Sequence, residues 1–230
     1  MTKMAWSYSR LSDFENCRLL FQHKYILKTI KFVENEAMRR GSEVHKQIER
    51  NVVRESHAKD QVGDSVVMGV APMVTAFVAN HQEVLMEEEL AFTVGLKSVS
   101  WFDKKVWFRA KMDLVGIVNP FSIYADHIAS VLDWKTGQYR PNKDQLKIYN
   151  MATMLKWQST KRVSSALVFV DQKRSGPPLI STRHDLPGLI DEFSDRTEAI
   201  QIAVERDMWP ATPCFQCRWC GVQDCKYCKR

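Results

Sequence analysis

Asp133 and Lys135 lie two residues apart, directly after the apolar pair Val131-Leu132 and shortly before Gly137. Residues i and i+2 of a β-strand project from the same face, so the carboxylate and the ammonium group point into one site. The apolar lead-in and the glycine exit are typical of a buried strand that ends in a turn. A metal-binding carboxylate beside a lysine suits hydrolysis of a phosphodiester. A solvated edge strand can carry the same pair by chance, so further residues must support the prediction.

Two more residues are candidate metal ligands. Asp113 is a carboxylate within an otherwise apolar strand pattern, where an exposed strand-end acid is the alternative interpretation. His45 lies beside the apolar positions Val44 and Ile48 of a helical pattern, where a solvated histidine is the alternative. Magnesium and manganese prefer oxygen ligands, and manganese also accepts imidazole. The acidic run 87–89 precedes a strand pattern, and Glu89 is interpreted as a solvated helix end rather than a distant ligand.

Gln145 and Tyr149 are spaced i, i+4 on the helical pattern that follows the Asp133 strand. This spacing places both side chains on one helix face, where they could reach a phosphate or the surroundings of a metal-bound water. Packing of the same two side chains in the core is the alternative.

The elements that must position these residues are predicted from periodicity and turn signals. Helices are expected from Ser9 as N-cap to about Cys17, then towards Leu27, and over 37–54, 73–81, 144–156 and 189–206. Strands are expected over 90–99, 106–110, 112–118, 122–124, 130–134, 164–171 and 179–183. This order predicts an α/β fold in which helices flank a central mixed sheet.

The six cysteines are unevenly distributed: Cys17 is isolated, and five lie within the last seventeen residues, at 214, 217, 220, 225 and 228. Two-residue gaps let neighbouring thiolates bind one metal centre, either zinc or an iron-sulfur cluster. In a reducing compartment such clustering favours metal over disulfides.

The net charge of +6 is compatible with a polyanionic partner. Segment 133–174 contains nine Lys or Arg and three Asp, which by subtraction gives +6 for the segment alone. Arg140, Lys143 and Lys147 are therefore predicted to follow a phosphate backbone, with Trp157 available to stack on bases, although a solvated helix face has the same composition. The sequence has no apolar run of the roughly 20 residues that span a bilayer and no signal-peptide core, which predicts a cytoplasmic protein without a membrane partner.

In this order, the motifs resemble the PD-(D/E)XK nuclease superfamily. The similarity is greatest to its RecB-like exonuclease branch, which includes CRISPR-adaptation nucleases and the nuclease domains of bacterial helicase-nucleases. It covers residues 7–225. The matching positions are Ser7-Tyr8-Ser9-Arg10-Leu11 with Phe14 and Cys17, Gly41 to His45, Asp113, Asp133 to Gly137, and Gln145 to Tyr149. Met112 stands where the superfamily name implies proline, a position that varies widely.

The resemblance implies a restriction-endonuclease-like core and a set of site residues. Mg²⁺ or Mn²⁺ would be bound by His45, Asp113, Asp133 and the backbone carbonyl of Trp134. Lys135 would position or help deprotonate the attacking water, with Gln145 and Tyr149 beside it. By analogy with related iron-sulfur nucleases, the resemblance implies a [4Fe-4S] cluster bound by Cys17, Cys217, Cys220 and Cys225. Cys214 and Cys228 are then surplus, which leaves open a zinc site built from the tail cysteines alone, a ligand swap within the cluster, or free or oxidised thiols.

These expectations define a nuclease domain over 1–213, with N-terminal helices over 7–82 and the catalytic sheet and helices over 83–208. Residues 214–230 would form a cysteine-rich tail that packs on the N-terminal region through Cys17. The expected function is metal-dependent exonucleolytic cleavage of DNA ends, preferably single-stranded, in recombination, repair or end processing. A helicase, annealing or recombination protein is the expected kind of partner. The alternatives are a structure-specific endonuclease and a non-catalytic nucleic-acid-binding or assembly protein.

Overall fold

The structure, a computed structural model, describes residues 4–31, 34–54, 65–118, 127–223 and 225–228. The helices are α1 (Tyr8–Asn16), α2 (Arg18–Phe21), α3 (Glu36–Arg54), α4 (Ser65–Met68), α5 (Ala71–Ala79), α6 (Lys143–Lys156) and α7 (Leu186–Glu205). The strands are β1 (Glu83–Phe92), β2 (Ser98–Val99), β3 (Phe108–Val118), β4 (His127–Lys135), β5 (Thr160–Phe169), β6 (Arg174–Ser175) and β7 (Leu179–Thr182). A π-helical turn, Gln22–Ile26, continues α2.

The strands form one mixed sheet in the order β2-β1-β3-β4-β5-β6, with β7 paired to β5. The neighbours β1, β3 and β4 are antiparallel, whereas β4 and β5 are parallel and are connected through α6. This crossover packs α6 on the sheet directly after the Asp133 strand. The predicted α/β fold with a mixed central sheet and flanking helices is thus confirmed.

Helices cover both faces of the sheet. On one face, α1, α6 and α7 contribute Phe14, Ile148 and Phe193 to a core that also contains Met112 and Val131. On the opposite face, α3 and α5 pack Val44, Ile48 and Phe77 against Leu114 and Trp134. Both faces of the sheet are covered by apolar side chains, so polar groups on the central strands lose their contact with water. Their burial is costly unless hydrogen bonds or charge partners replace that water.

Most predicted elements are confirmed, with four differences. The single strand predicted over 90–99 is divided between the end of β1 and the short β2, because the chain turns back over 93–97 and the two strands pair antiparallel. Ser7, rather than Ser9, is the N-cap of α1. The acidic run 87–89 lies within β1 and not at a helix end, because antiparallel pairing with β3 extends β1 back to Glu83. The predicted strands 106–110 and 112–118 form one continuous strand, β3. The strand predicted at 122–124 lies outside the described residues.

The paired strands β1 and β3 share an irregularity at Glu87 and Asp113. On β3, Phe108, Ala110 and Met112 belong to the core under α6, but so do Val115 and Ile117, so the alternation of faces changes phase in between. Across the ladder, Glu87 has a φ of 51°, a left-handed value that is uncommon for a residue other than glycine. Strain of this kind is often found at functional sites, which directs attention to the Glu87–Asp113 pair.

The segment around Cys17 packs against the C-terminal residues. Cys17, Leu20 and Val222 form a small buried cluster of their own. Among the described residues, no helix is both long enough and apolar enough to cross a membrane.

Candidate active site

The candidate site lies where β3 and β4 separate. Their ladder runs from Val118↔Ile128 to Leu114↔Leu132, and the next residues in register would be Asp113 and Asp133. The side-chain Oδ2 of Asp113 instead accepts a hydrogen bond from the backbone N–H of Trp134, at 2.7 Å. Both carboxylates are buried, with 6% and 3% of Asp113 and Asp133 exposed. Two acidic side chains thus lie close together, largely shielded from water.

α3 brings His45 to this opening. The Nδ1 of His45 lies 3.3 Å from Asp113 Oδ1, and Nε2 lies 3.2 Å from the backbone carbonyl oxygen of Trp134. The buried side chains Val44 and Ile48 pack α3 on the sheet, which sets the position of His45 between them. Three predicted ligand groups, those of His45, Asp113 and the Trp134 carbonyl, are therefore brought together.

Glu87 joins the same group, although the sequence analysis did not select it. Its Oε1 lies 3.9 Å from His45 Nδ1, and ligand atoms of His45, Glu87 and Asp113 all lie within 4.8 Å of one another. Lys111 Nζ lies 2.9 Å from Glu87 Oε2, and this contact raises the pKa of Lys111. The signal that could have revealed Glu87 is the acidic run itself, once it is placed on a strand opposite Asp113.

Asp133 is surrounded by the other predicted site residues. Tyr149 donates a short hydrogen bond to Oδ1, and the amide of Gln145 donates to the same oxygen at 3.4 Å. The ammonium group of Lys135 lies against Oδ2, although Oδ2 accepts no hydrogen bond of normal geometry and is buried. Burial, and secondarily the charge of Asp113, raise the pKa of Asp133 against the opposing effect of Lys135. The i, i+4 pair on α6 therefore contacts the carboxylate directly.

The carboxylates of the site raise the pKa values of its two basic side chains. Burial acts to lower the pKa of Lys135, but the charges of Asp133 and Asp113 outweigh it and raise the pKa above its ordinary value. Burial likewise acts to lower the pKa of His45, but the contact with Asp113 outweighs it and raises the pKa. Both side chains thus gain proton affinity from the carboxylates that could hold a divalent cation.

The donor set fits a hard divalent cation. It offers carboxylate oxygens, a backbone carbonyl and one imidazole, the ligands that Mn²⁺ accepts and Mg²⁺ mostly shares. Asp133 Oδ2 is buried against the ammonium group of Lys135, and Asp113 lies beside Asp133 in the opened ladder. A cation bound between the two carboxylates would offset their negative charge.

The turn after β4 is tied to α3 and to the end of β5. Asp171 accepts hydrogen bonds from Arg40 of α3, at 2.5 and 3.0 Å, and from the backbone N–H of Gly137, at 2.6 Å. Gly137 has a φ of 91°, a left-handed conformation that glycine adopts without steric cost. The helix that bears His45 and the strand that bears Asp133 are thus linked through one carboxylate.

We expect Asp171→Asn to lower the free energy of unfolding by about 1 kcal/mol or less at neutral pH, as is usual for an exposed ion pair. Hydrogen bonding from Arg40, and then from Gly137, lowers the pKa of Asp171 in the folded state. A depressed folded-state pKa contributes stability that is fully present above the unfolded value, about 3.9, and is lost as the pH falls through the folded value. Urea unfolding of wild type and variant should therefore differ at pH 7 and converge below about pH 4. A difference that stays constant to the lowest pH would contradict this assignment.

The residues predicted to contact nucleic acid have different surroundings. Lys143 is exposed at the start of α6, and within the described part of the chain Arg140 donates a hydrogen bond only to the nearby Gln138 side chain, at 2.9 Å. Lys147 instead forms an ion pair with Glu192 of α7, and its Nζ lies 2.8 Å from each carboxylate oxygen of Glu192. Trp157 lies at the C-terminal end of α6. An α-helix rises about 1.5 Å per residue, so Trp157 is about 18 Å from Gln145 along the helix axis. Arg140 and Lys143 are thus free to meet a phosphate near the site, whereas Trp157 is distant.

All six cysteines are unpaired and line one cavity between the N-terminal helices and the C-terminal segment. Cys17 is buried and accepts a hydrogen bond from the backbone N–H of Thr212, at 3.5 Å. Cys214 interacts with Cys217 and Cys17, and Cys228 contacts Cys220 and Cys225. The chain ends therefore meet at a cluster of thiols, including the two that the sequence analysis treated as surplus.

Comparisons with known proteins agree with this architecture. The family model of the PD-(D/E)XK nuclease superfamily matches residues 5–228. A solved structure of a proposed exonuclease from Eubacterium rectale is similar in fold, with a TM-score of 0.50 and 11% identity, covering 99% of this chain and 88% of that one. A search of curated proteins found no match.

Proposed function

Because the chain belongs to the PD-(D/E)XK nuclease superfamily, we propose that it is a metal-dependent exonuclease of the RecB-like branch that hydrolyses DNA from its ends. The observation that carries this proposal is the opening of the β3–β4 ladder, where Asp113, Asp133 and Lys135 meet His45. An acidic metal centre beside a lysine is an arrangement that suits phosphodiester hydrolysis. Degenerate, non-catalytic relatives would be free to lose these residues.

Each side chain has a distinct role in the proposed mechanism. His45, Asp113, Asp133 and the Trp134 carbonyl would hold Mg²⁺ or Mn²⁺. The bound ion supplies a more acidic water and offsets charge on the phosphate. Tyr149 and Gln145 donate hydrogen bonds to Asp133 Oδ1, and Oδ2, which contacts Lys135, would be the oxygen available to a metal.

Lys135 is proposed to act as a cation rather than as a free base. Its pKa is raised by Asp133 and Asp113, so it carries a proton at neutral pH in the metal-free protein. A protonated ammonium group can orient the attacking water and stabilise negative charge that develops on the phosphate. Preorganised cations of this kind are effective because they need no reorganisation during the reaction.

The proposal is tested by nucleotide release from end-labelled DNA in the presence of Mn²⁺ or Mg²⁺, with EDTA as the control. Single-stranded, double-stranded and RNA substrates should be compared, since we propose a preference for single-stranded DNA ends. Closed circular single-stranded DNA separates the alternatives, because only an endonuclease can cut it. Failure to cleave any linear substrate with either metal would favour the non-catalytic binding or assembly protein.

Glu87 is proposed to assist the metal centre from β1. We expect Glu87→Gln to raise the Mn²⁺ concentration for half-maximal activity by about tenfold, because one carboxylate beside His45 and Asp113 loses its charge. Glu88→Gln, one residue along the same strand, is the matched control. Equal metal dependence in the two variants would exclude Glu87 from the centre.

We further propose that the cysteine cluster binds a [4Fe-4S] centre through Cys17, Cys217, Cys220 and Cys225. These four cysteines line one cavity together with Cys214 and Cys228, which supports a shared metal centre. Zinc bound by the tail cysteines is the alternative. The cluster would join the tail over 214–230 to the nuclease domain over 1–213.

The biological setting is proposed from the same chemistry. An exonuclease acting on single-stranded ends would serve recombination, repair or end processing. It would then work beside a helicase, an annealing protein or a recombination protein that supplies such ends. Co-purification of tagged protein from its own host would test for this class of partner.

A further inference from the structure

A second cavity, of about 300 Å³, adjoins the candidate active site. Gln145 and Tyr149, the two side chains that bond Asp133, form part of its wall. Lys111 lines both this cavity and the open cleft that contains His45, Glu87 and Asp113. The volume is at the lower end of the range of small-molecule sites, roughly 300–1,000 Å³. The cavity therefore has room for one small ligand beside the reacting phosphate.

Two arginines give this cavity a positive charge. Arg10 donates to the backbone carbonyl of Ala5 at 2.6 Å, and Arg109 donates through Nε to the carbonyl of Trp101 at 3.0 Å. Within the part of the chain that the structure describes, neither has a carboxylate partner. Each guanidinium group has five N–H donors, so several remain for a ligand.

The two guanidinium groups lie close enough to repel one another. Burial lowers the pKa of Arg10, Tyr25 opposes this effect, and the charge of Arg109 lowers the pKa further. Two cations that share a partly buried space repel one another, and an anion between them would remove that cost. The first turn of α1, which begins at Tyr8 and has no side-chain cap, adds its positive end to the same wall.

Aromatic side chains complete the cavity. Trp101 and Tyr8 both line it, and the guanidinium carbon of Arg109 lies 5.4 Å from the Trp101 ring centre. The charge of Lys135 acts to lower the pKa of the Tyr8 hydroxyl, which burial raises overall, so Tyr8 lies near Lys135 and connects the cavity to the proposed site. Aromatic rings beside cations are the combination that binds single-stranded nucleic acid, because each base offers a face for stacking.

We propose that this cavity holds the phosphorylated terminal nucleotide of a DNA strand, with Arg10 and Arg109 on its terminal phosphate and Trp101 stacked on its base. The proposal rests on the proposed function, since it names the substrate end that the nuclease accepts. The cavity volume has room for about one nucleotide. A preference for a terminal phosphate at this position would direct cleavage to strand ends.

The test measures equilibrium binding of a single-stranded DNA hexadecamer with an internal fluorophore, in EDTA so that no cleavage occurs. The oligonucleotide carries a phosphate at the 5′ end, at the 3′ end or at neither end. We expect one terminal phosphate to lower the Kd of wild type about tenfold, the gain of a charge-assisted contact. The end that shows the effect identifies the polarity of digestion.

Arg109→Gln should abolish the effect of the phosphate, and Arg10→Gln provides a second variant. Arg162→Gln is the matched control. Arg162 is an exposed arginine on β5, and in the β4–β5 ladder it lies opposite Ile128, at the end of β4 far from Asp133. Trp101→Leu should weaken binding of all three oligonucleotides while leaving the ratio of their Kd values unchanged. Equal affinity of wild type for the three oligonucleotides, or equal losses in Arg109→Gln and Arg162→Gln, would overturn the proposal.

The outcomes separate this proposal from the nuclease function itself. If DNA is cleaved with Mn²⁺ but a terminal phosphate does not change the Kd, the pocket assignment is wrong and the nuclease assignment stands. If a terminal phosphate tightens binding in EDTA but no substrate is cleaved, the pocket assignment stands and the nuclease assignment is wrong.

Discussion

Asp133→Asn should reduce the rate of phosphodiester hydrolysis by at least about a thousandfold, because it removes a ligand charge worth several kcal/mol at the transition state. Asparagine has nearly the same shape as aspartate and can still accept the hydrogen bonds of Tyr149 and Gln145. The loss should therefore reflect the missing charge on Oδ2 rather than a disturbed core. Single-turnover cleavage of end-labelled DNA over a series of Mn²⁺ concentrations measures this effect.

Two controls accompany this variant. Asp191→Asn removes an exposed carboxylate on α7 and should leave the rate unchanged. Thermal unfolding should show that Asp133→Asn remains folded. A variant that cleaves as fast as wild type would remove Asp133 from the catalytic centre and, with it, the interpretation of Lys135 as its partner.

Cys17→Ser should have the largest effect on stability. Loss of a structural metal centre is among the few single changes that cost more than about 4 kcal/mol. Cys17 is the one cluster residue that lies outside the C-terminal segment, so its loss would release that segment from α1 and α2. Thermal unfolding and iron content of anaerobically purified protein measure the result.

The surplus cysteines provide the matched comparison. Cys214→Ser and Cys228→Ser should retain iron and the brown colour of a [4Fe-4S] protein, whereas Cys17→Ser should lose both. A colourless wild-type protein with stoichiometric zinc would exclude the iron-sulfur proposal. Loss of iron in Cys214→Ser with retention in Cys217→Ser would instead show that the ligand set is wrong.

The sequence determined the features that depend on local periodicity. Asp133 and Lys135 share a strand face because side chains alternate every two residues, and Gln145 and Tyr149 share a helix face because the helix repeats every 3.6 residues. α3 and α6 were predicted within one residue of their observed ends, since their apolar spacing is helical throughout. The residue types alone then indicated a divalent-metal site and a thiol cluster.

Only the tertiary structure decided which distant residues meet. The register of β1 on β3 places Glu87 opposite Asp113, and this register is fixed by which faces of both strands become buried when the sheet forms. The pairing of Lys147 with Glu192 and the shared cavity of Arg10 and Arg109 likewise follow from the packing of α7 and α1. These contacts join segments that are far apart in the chain. They form because the packing of the helices on the two sheet faces fixes where each helix and strand lies. Local periodicity indicates the direction of a side chain, whereas packing and strand register select its partner.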